Sequence, residues 1–213
     1  MFERAPLRVR PAEGEPPGWL LQRLAHRNGF EDAAEFGRCF RTSVDDVRRG
    51  LADARLAELS GISRSVLAEW SPKGTGTDMA LRGQTLRVPY DWASGMPGKP
   101  IRACPECLRS DLAGRGGPKA SRPHMRAWWC LRDVHHCHVH GCLLAERPSQ
   151  RPRAFAGDGA RRGGARPFWV DFVDAETERV DSEATRADLY VLGRMGLVAA
   201  AVHPVLDRLS LGE

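Results

Sequence analysis

Two pairs of metal-binding side chains carry the most specific chemical signal in this sequence. Cys104 and Cys107 lie in Cys-Pro-Glu-Cys, and after 29 intervening residues Cys137 and His140 lie in Cys-His-Val-His. Zinc prefers four tetrahedral nitrogen and sulfur ligands, and two ligands at this spacing can hold one ion from a tight turn. The pattern therefore predicts one Zn²⁺ in a Cys3His shell. A closed shell leaves no position for water or substrate, so the predicted role is structural.

Other interpretations of these cysteines stay open at this point. A redox dithiol at Cys104 and Cys107 is usually found within a βαβ pattern, and none surrounds this pair. Simple burial of cysteines does not explain the paired spacing. The ligand register can also differ, because more ligand-type residues lie in the same stretch. They are His135, His136, His138, Cys130 and Cys142. We interpret Cys39, Cys130 and Cys142 as small core residues.

The composition favours a folded, soluble protein. Its 213 residues are 42% hydrophobic and 28% charged, which favours a packed core over disorder. No apolar run approaches the roughly 18 residues that cross a bilayer, and the N-terminus lacks the apolar stretch of a secretory signal. We expect a cytoplasmic protein without membrane contact. Its six cysteines would then stay reduced and serve as metal ligands and buried residues.

Positive charge is concentrated in the middle of the chain. Residues 98–166 carry 14 Lys and Arg against 5 Asp and Glu, a net charge of +9, whereas residues 1–97 have +1 and residues 167–213 have −5. Such a field attracts phosphate backbones and adds affinity through counterion release. We therefore predict nucleic-acid contact by four basic residues, namely Arg115, Lys119, Arg122 and Arg126. The alternative is that this charge forms only a solvated surface.

The N-terminal third shows helical patterns. An apolar stripe predicts a helix over residues 18–28, where Gly29 is a natural stop. A second helix is predicted over residues 32–40, with Phe36 and Phe40 on one face.

The segment 51–70 predicts a helix-turn-helix-like pair. Leu56 and Leu59 mark the first helix, Gly61 breaks it, and Ser63 is a good N-cap for a second helix that carries Val66, Leu67 and Trp70. On this second helix only Arg64 has the bidentate geometry favoured for guanine, so Arg64 is the candidate base contact. A helical hairpin with a glycine turn gives a similar pattern, so this segment can instead dock protein.

These patterns predict a mostly α protein with a small β-containing zinc lobe. We divide the chain into an N-terminal helical domain (1–97), a zinc-binding module (98–146), a basic linker (147–166) and a C-terminal helical segment (167–213). Short strands are predicted at Leu86–Val88 and at Trp128–Leu131.

The zinc segment and its surroundings resemble the TniQ family, the target-selection adaptors of bacterial transposition systems. CPECLRSD followed by WWCLRDVHHCHVHGCLL is similar to the zinc module of that family. GWLLQRLAHRNG resembles its first helix, and LAELSGISRSVLAEW resembles its helix-turn-helix segment. DLYVLGRMG and HPVLDRLSLGE resemble the start of the following helical region, which is longer in fuller-length members.

The resemblance implies a non-catalytic role. Such adaptors bridge a targeting complex to an AAA+ ATPase and the transposase, and we expect the chain alone to bind DNA weakly and without sequence preference. The sequence agrees, because it contains no phosphate-binding GxxxxGK[ST] loop, no GxSxG turn and no HExxH motif.

Two other functions compete with the adaptor. The first is a zinc-stabilised transcription regulator that reads DNA with residues 51–70 and forms a homodimer on a short palindrome. A more distant one is an RNA-binding accessory protein. An adaptor would acquire a specific site only through its partners, which discriminates it from a regulator.

Overall fold

The computed structural model describes residues 4–73, 78–87, 100–114, 117–131, 133–148, 168–181 and 185–209. Within these ranges the chain is mixed helical with three small sheets. The α-helices are α1 (Pro17–Arg27), α2 (Ala33–Phe40), α3 (Val44–Arg48), α4 (Asp53–Ser60), α5 (Arg64–Glu69), α6 (Pro105–Ala113) and α7 (Arg186–Arg194). The strands are β1 (Asp78–Leu81), β2 (Gln84–Arg87), β3 (Pro100–Ala103), β4 (His136–Cys137), β5 (Cys142–Leu143) and β6 (Ala145–Pro148).

The first two helices agree with the sequence patterns within a residue or two. Pro17 is the first residue of α1. Proline has no backbone N–H, and at this position an N–H would have no hydrogen-bond partner within the helix. The Asp32 side chain caps α2 by accepting a hydrogen bond from the Glu35 N–H at 2.7 Å. On α2, Phe36 and Phe40 stack with ring centroids 4.3 Å apart. These local signals explain why both helices are predictable from sequence.

Cys39 is exposed, so its assignment to the core is wrong. Phe36, Gly37 and Phe40 take the buried face of α2. The helical period of 3.6 residues places Cys39 on the opposite face. Cys142 is buried and Cys130 is half-buried.

A helix, a turn and a second helix occupy the segment 51–70. Gly61 ends α4 in the left-handed conformation with φ of 72°, and α5 follows at once. Leu67 is buried, whereas Val66 is 43% exposed, so the outer face of α5 is open to solvent. Ser63 has the position of an N-cap, but its hydroxyl contacts the Ser65 hydroxyl and caps no backbone N–H. Whether this pair works as a DNA-binding helix-turn-helix stays a prediction.

All three sheets are antiparallel pairs. They join β1 to β2, β3 to β6, and β4 to β5. The predicted strand at Leu86–Val88 corresponds to β2, although Val88 lies outside the described residues. The proposed boundary near residue 97 and nearly all of the linker 147–166 also lie outside them.

The strand predicted at Trp128–Leu131 is wrong. Residues Ala127–Cys130 form a 3-10 turn, in which the Trp129 N–H donates to the Arg126 carbonyl at 3.0 Å. Trp128 and Trp129 are both buried. A strand would direct two consecutive side chains to opposite faces, whereas a helical turn lets both pack into the protein interior.

Buried side chains form two clusters. The helical cluster is built from α1 to α5 and the segment that precedes them, and Leu20, Leu24 and Phe36 lie at its centre. The zinc-lobe cluster surrounds Cys104, Cys107 and Cys137, and it also includes Trp70, Trp128, Phe172 and Leu192. Residues far apart in sequence thus complete the same core.

Close contacts join the two clusters. The Gly14 carbonyl accepts a hydrogen bond from the Ala127 N–H at 2.7 Å, and Arg23 donates to the Ser121 carbonyl at 2.9 Å. Arg23 also forms an ion pair with Glu15, whose side chain is fully buried. The start of α1 is therefore fastened to the 3-10 turns of the zinc lobe.

Among the residues that the structure describes, no helix is both long and apolar enough to cross a bilayer.

Gly14 is a point at which this junction can be tested. A side-chain carbon at Gly14 would lie 2.1 Å from the Trp128 ring, whereas at Gly29 it would meet nothing within 4 Å. Both glycines have positive φ, at 71° and 83°. Gly14→Ala and Gly29→Ala thus share a conformational penalty of roughly 1–2 kcal/mol, and Gly14→Ala adds about 1–3 kcal/mol of overpacking.

Urea unfolding of both variants in excess zinc measures this difference. We expect the free energy of unfolding to fall further for Gly14→Ala than for Gly29→Ala. Equal losses would show that the contact between Gly14 and Trp128 contributes nothing to stability.

Candidate metal centre

The first ligand pair lies at the start of α6. Cys104 is the N-cap of this helix, and its sulfur accepts a hydrogen bond from the Cys107 N–H at 3.4 Å. Pro105 occupies the first turn, which its fixed φ favours. Cys107 follows within the same turn, so both sulfurs lie at the helix N-terminus. The helix dipole there favours negative charge, as a thiolate requires.

The second pair lies on a tight hairpin between β4 and β5. Cys137 ends β4, and its carbonyl accepts a hydrogen bond from the Gly141 N–H at 2.7 Å. Gly141 has φ of 56°, a conformation that side chains disfavour. This turn reverses the chain and directs His140 back toward Cys137.

Pairing of β3 with β6 brings the two halves together. Ala103 lies opposite Ala145 in the register, so the residue before Cys104 adjoins a residue two positions after the end of β5. The two ligand pairs therefore meet although most of the lobe separates them in sequence.

The four predicted ligands form one compact cluster. Their ligand atoms all lie within 4.8 Å of one another, and Cys104, Cys107 and Cys137 are buried while His140 is half-buried. The Cys107 and Cys137 sulfurs are 3.6 Å apart, and the His140 Nδ1 lies 3.2–3.6 Å from the three sulfurs. A tetrahedral zinc ion with ordinary bond lengths separates such atoms by roughly 3.8 Å and 3.6 Å. The donor set and its spacing therefore fit a zinc ion.

The pKa values of Cys104 and Cys107 are shifted in opposite directions. A hydrogen bond from the Cys107 thiol is the main reason that the pKa of Cys104 is lowered to about 3. The same hydrogen bond, together with burial, raises the pKa of Cys107. The Cys104 thiolate thus forms easily, whereas ionisation of the Cys107 thiol is unfavourable. A divalent cation would remove this opposition, because thiolates bind it in place of their protons.

Cys142 is a fifth sulfur beside the cluster. Its Sγ lies 3.6 Å from the Cys104 Sγ, but the compact group of four does not include it. Burial, followed by the charge of Cys104, raises the pKa of Cys142 to about 12. Cys142 therefore remains a thiol that can donate a hydrogen bond to Cys104.

Sequence patterns missed a set of C-terminal contacts that hold both ligand turns. We call residues 173–181 together with Asp188 the C-terminal clasp. On the α6 side, Arg109 donates to the carbonyls of Val173 and Ala175 at 2.8 and 2.7 Å. Glu106, which lies between Cys104 and Cys107, accepts a hydrogen bond from the Thr177 hydroxyl at 3.1 Å.

The clasp also extends the hairpin of the second ligand pair. The Leu143 N–H donates to the Glu178 carbonyl at 2.9 Å, and the Val180 N–H donates to the Gly141 carbonyl at 3.1 Å. Residues 178–180 thus lie beside β5 as an additional extended segment.

Asp188 holds the strand that leads into Cys137. One of its carboxylate oxygens accepts the backbone N–H groups of His135 and His136, each at 2.7 Å, and the His136 Nδ1 lies 2.7 Å from the same oxygen. Asp188 is only 3% exposed. In the sequence, Asp188 is recognisable only as an acid in the first turn of a helix. That signal does not predict its contact with residues about 50 positions earlier in the chain.

The basic residues predicted to contact nucleic acid have different environments. Lys119 is exposed, and so is Arg64 on α5. Arg115 lies outside the described residues. Arg122 donates to the carbonyls of Gly117 and Leu112 at 3.1 and 2.9 Å, so it holds its own loop together.

Arg126 faces the interior of the lobe. Its guanidinium pairs with Asp111 at 3.0 Å and covers the Trp129 ring at 4.7 Å from the centroid. Burial acts to raise the pKa of Asp111, but hydrogen bonds and charges from His124 and Arg126 outweigh it and lower that pKa. The structure thus brings together the four metal ligands. Among the predicted basic residues that it describes, Lys119 and Arg64 are exposed, whereas Arg122 and Arg126 are engaged within the lobe.

Comparison with known proteins places these elements in one family. The family model described as TniQ matches residues 6–144, which is more than half of the chain and contains all four ligands. No curated protein matches the chain.

The cluster generates a metal prediction. Purified reduced protein should contain about one zinc ion per chain, because four ligands close one tetrahedral shell. Cys104→Ala or His140→Ala should lose the ion and loosen residues 98–146, since metal binding and local folding are coupled. The helices of residues 18–70 lie outside the ligand set and should largely persist.

Elemental analysis and circular dichroism test this expectation. Cys39→Ala is the matched control, because its thiol is exposed and remote from the cluster in sequence. Carefully reduced protein without zinc, or full zinc retention in Cys104→Ala, would contradict it.

The clasp generates a second prediction. Asp188→Asn should weaken zinc binding by about tenfold or more, because removing groups that orient ligands has effects of this order. Asp174→Asn, an exposed acid in the same segment, is the control. Competition with a chromophoric chelator gives the affinity, and the Co²⁺ spectrum should remain that of three sulfurs and one nitrogen. Equal affinities for the two variants would rule out a role for Asp188.

Proposed function

This chain belongs to the TniQ family of transposition-associated accessory proteins, and from this premise we propose that it acts as a non-catalytic adaptor. It would link a target-recognition complex to the AAA+ ATPase and the transposase. The observation that carries this proposal is the family match over residues 6–144, which includes both the N-terminal helices and the zinc ligands.

The candidate metal centre supports a role in binding. A Cys3His cluster uses all four tetrahedral positions, so a zinc ion there would stabilise the lobe and have no position for substrate. We propose that the ion is Zn²⁺, that one is bound per chain, and that it fixes the surface that partners recognise.

Nucleic-acid contact is the second part of this proposal. Of the four predicted residues that the structure describes, Lys119 and Arg64 have the exposure that phosphate contact requires. Arg126 is paired with Asp111 in a site where both side chains are 12% exposed, and removing one member of such a pair leaves a buried charge. A DNA-binding loss in an Arg126 variant would therefore report damage to the lobe and could not be assigned to a lost phosphate contact.

A transcription regulator is the second candidate, and the α4–α5 pair favours it. The turn at Gly61 and the exposed outer face of α5 are compatible with entry into a major groove. Against specific reading, Arg64 is the one exposed side chain there with bidentate geometry for guanine, and one good base contact gives only about 1–3 kcal/mol.

One experiment separates these two functions. The purified chain is footprinted across its own locus, and the products of neighbouring genes are tested for association by pull-down. An adaptor should protect no discrete site and should recover a transposition ATPase or targeting complex. Arg64→Ala should leave DNA affinity almost unchanged, and Cys104→Ala should reduce partner recovery because the lobe loosens.

The regulator predicts the opposite pattern. One sharp protected site that disappears in Arg64→Ala, with no partner recovered, would overturn the adaptor. Arg38→Ala removes an exposed arginine from α2 and serves as the charge-matched control.

A further inference from the structure

Residues 4–10 form a segment without helix or strand that hydrogen bonds hold against the helices. The Ala5 N–H donates to the Leu59 carbonyl of α4 at 3.1 Å. The Asn28 side chain accepts from the Leu7 N–H at 2.9 Å and donates to the Leu7 carbonyl at 2.8 Å. These contacts fix the direction and the register of the segment.

The arginines of this segment lie on its outer side. Ala5 and Val9 are buried in the helical cluster, whereas Leu7 between them is 48% exposed. Arg4, Arg8 and Arg10 are exposed, and residues 4–12 contain no acid. Within the described part of the chain, none of the three forms an ion pair. We call these three arginines the cationic strip.

The strip continues onto the turn between α4 and α5. A side-chain carbon at Gly61 would lie 2.8–3.1 Å from the guanidinium atoms of Arg8. The Arg8 guanidinium therefore lies directly over this turn, in space that the glycine leaves free. The exposed residues 63–66 of the next helix follow. The nearby Glu58 carboxylate forms an ion pair with Arg55 at 2.9 Å. This pairing reduces the extent to which the negative charge of Glu58 weakens the positive potential of the strip.

We propose that the cationic strip binds the phosphate backbone of a nucleic acid alongside the α4–α5 turn. Arginine suits this role, because its planar guanidinium matches a phosphate with two parallel donors. The docked backbone fixes the spacing of the three side chains before binding, so less ordering is required. This inference rests on the nucleic-acid contact of the proposed function, but it places that contact outside the basic segment 98–166.

A charge-matched pair of variants tests the site. The first replaces Arg4, Arg8 and Arg10 by Gln, which keeps the long stems and removes three charges. The control replaces three exposed arginines elsewhere by Gln, namely Arg38, Arg49 and Arg208. The affinity for a short DNA duplex of arbitrary sequence is measured over a series of salt concentrations. The slope of log affinity against log salt should fall by about 0.9 for each lost phosphate contact in the strip variant, and it should hardly change in the control.

The outcomes are distinct. An equal fall in both variants would show that only net charge acts, and an unchanged slope in both would show that the strip does not touch phosphate; either result overturns the site. A third variant with Lys at the same three positions should recover most of the slope, and a failure to recover it would also contradict phosphate contact. The same series with single-stranded RNA shows which polymer supplies the phosphates, since the slope should fall most for the one bound.

The pull-down of transposition partners distinguishes a failure of the strip from a failure of the proposed adaptor function. If the strip variant still recovers the transposition partners and its DNA slope is unchanged, the adaptor stands and the strip fails. If no partner is recovered by the unaltered chain while the strip variant loses its slope, the strip stands and the adaptor fails.

Discussion

Three buried thiols and one imidazole within 4.8 Å impose the constraint on which the surrounding lobe depends. Ionising these thiols concentrates negative charge in a volume that excludes water, where like charges oppose one another strongly. The hydrogen bond between Cys104 and Cys107 lowers the pKa of Cys104 to about 3 and raises that of Cys107, so the second thiol ionises far less readily than the first. A central cation offsets this repulsion between like charges, since each sulfur then faces the positive charge. The lobe therefore has a physical reason to couple its folding to a metal ion.

This constraint reaches beyond the two ligand turns because several contacts around the cluster join residues that are far apart in sequence. The α6 turn is held by Arg109 to residues 173–175, and the strand before Cys137 is held by Asp188. The residues of this clasp lie beyond the part that the family model matches. On the other side of the lobe, Trp128 packs against Gly14 at the entrance to α1. The cluster thus has connections to both ends of the described chain.

Local signals were sufficient to predict much of this structure. Both ligand turns are local: a cysteine N-cap followed by proline, and a hairpin closed by Gly141. The α1 helix carries its own apolar stripe and glycine stop, and α2 carries two phenylalanines on one face. Sequence patterns failed where distant residues decide the outcome. Trp128 and its neighbour form a buried turn in which residues far away in sequence, such as Gly14 and Trp70, pack against Trp128. Asp188 likewise contacts the hairpin from a position about 50 residues along the chain. No local pattern records either contact.

The charge distribution is the clearest case of this limit. A count along the sequence gives residues 98–166 a net charge of +9, but it does not reveal which guanidinium groups face inward. Arg126 neutralises a buried acid, and Arg122 and Arg109 bind carbonyl groups of the lobe. Much of the described positive charge in this segment therefore stabilises the fold around the metal ligands. The N-terminal strip has fewer charges, but its backbone is docked and its arginines face solvent. Accessibility and fixed spacing decide which arginines can bind a phosphate, and both properties come from the fold, which a net charge does not describe.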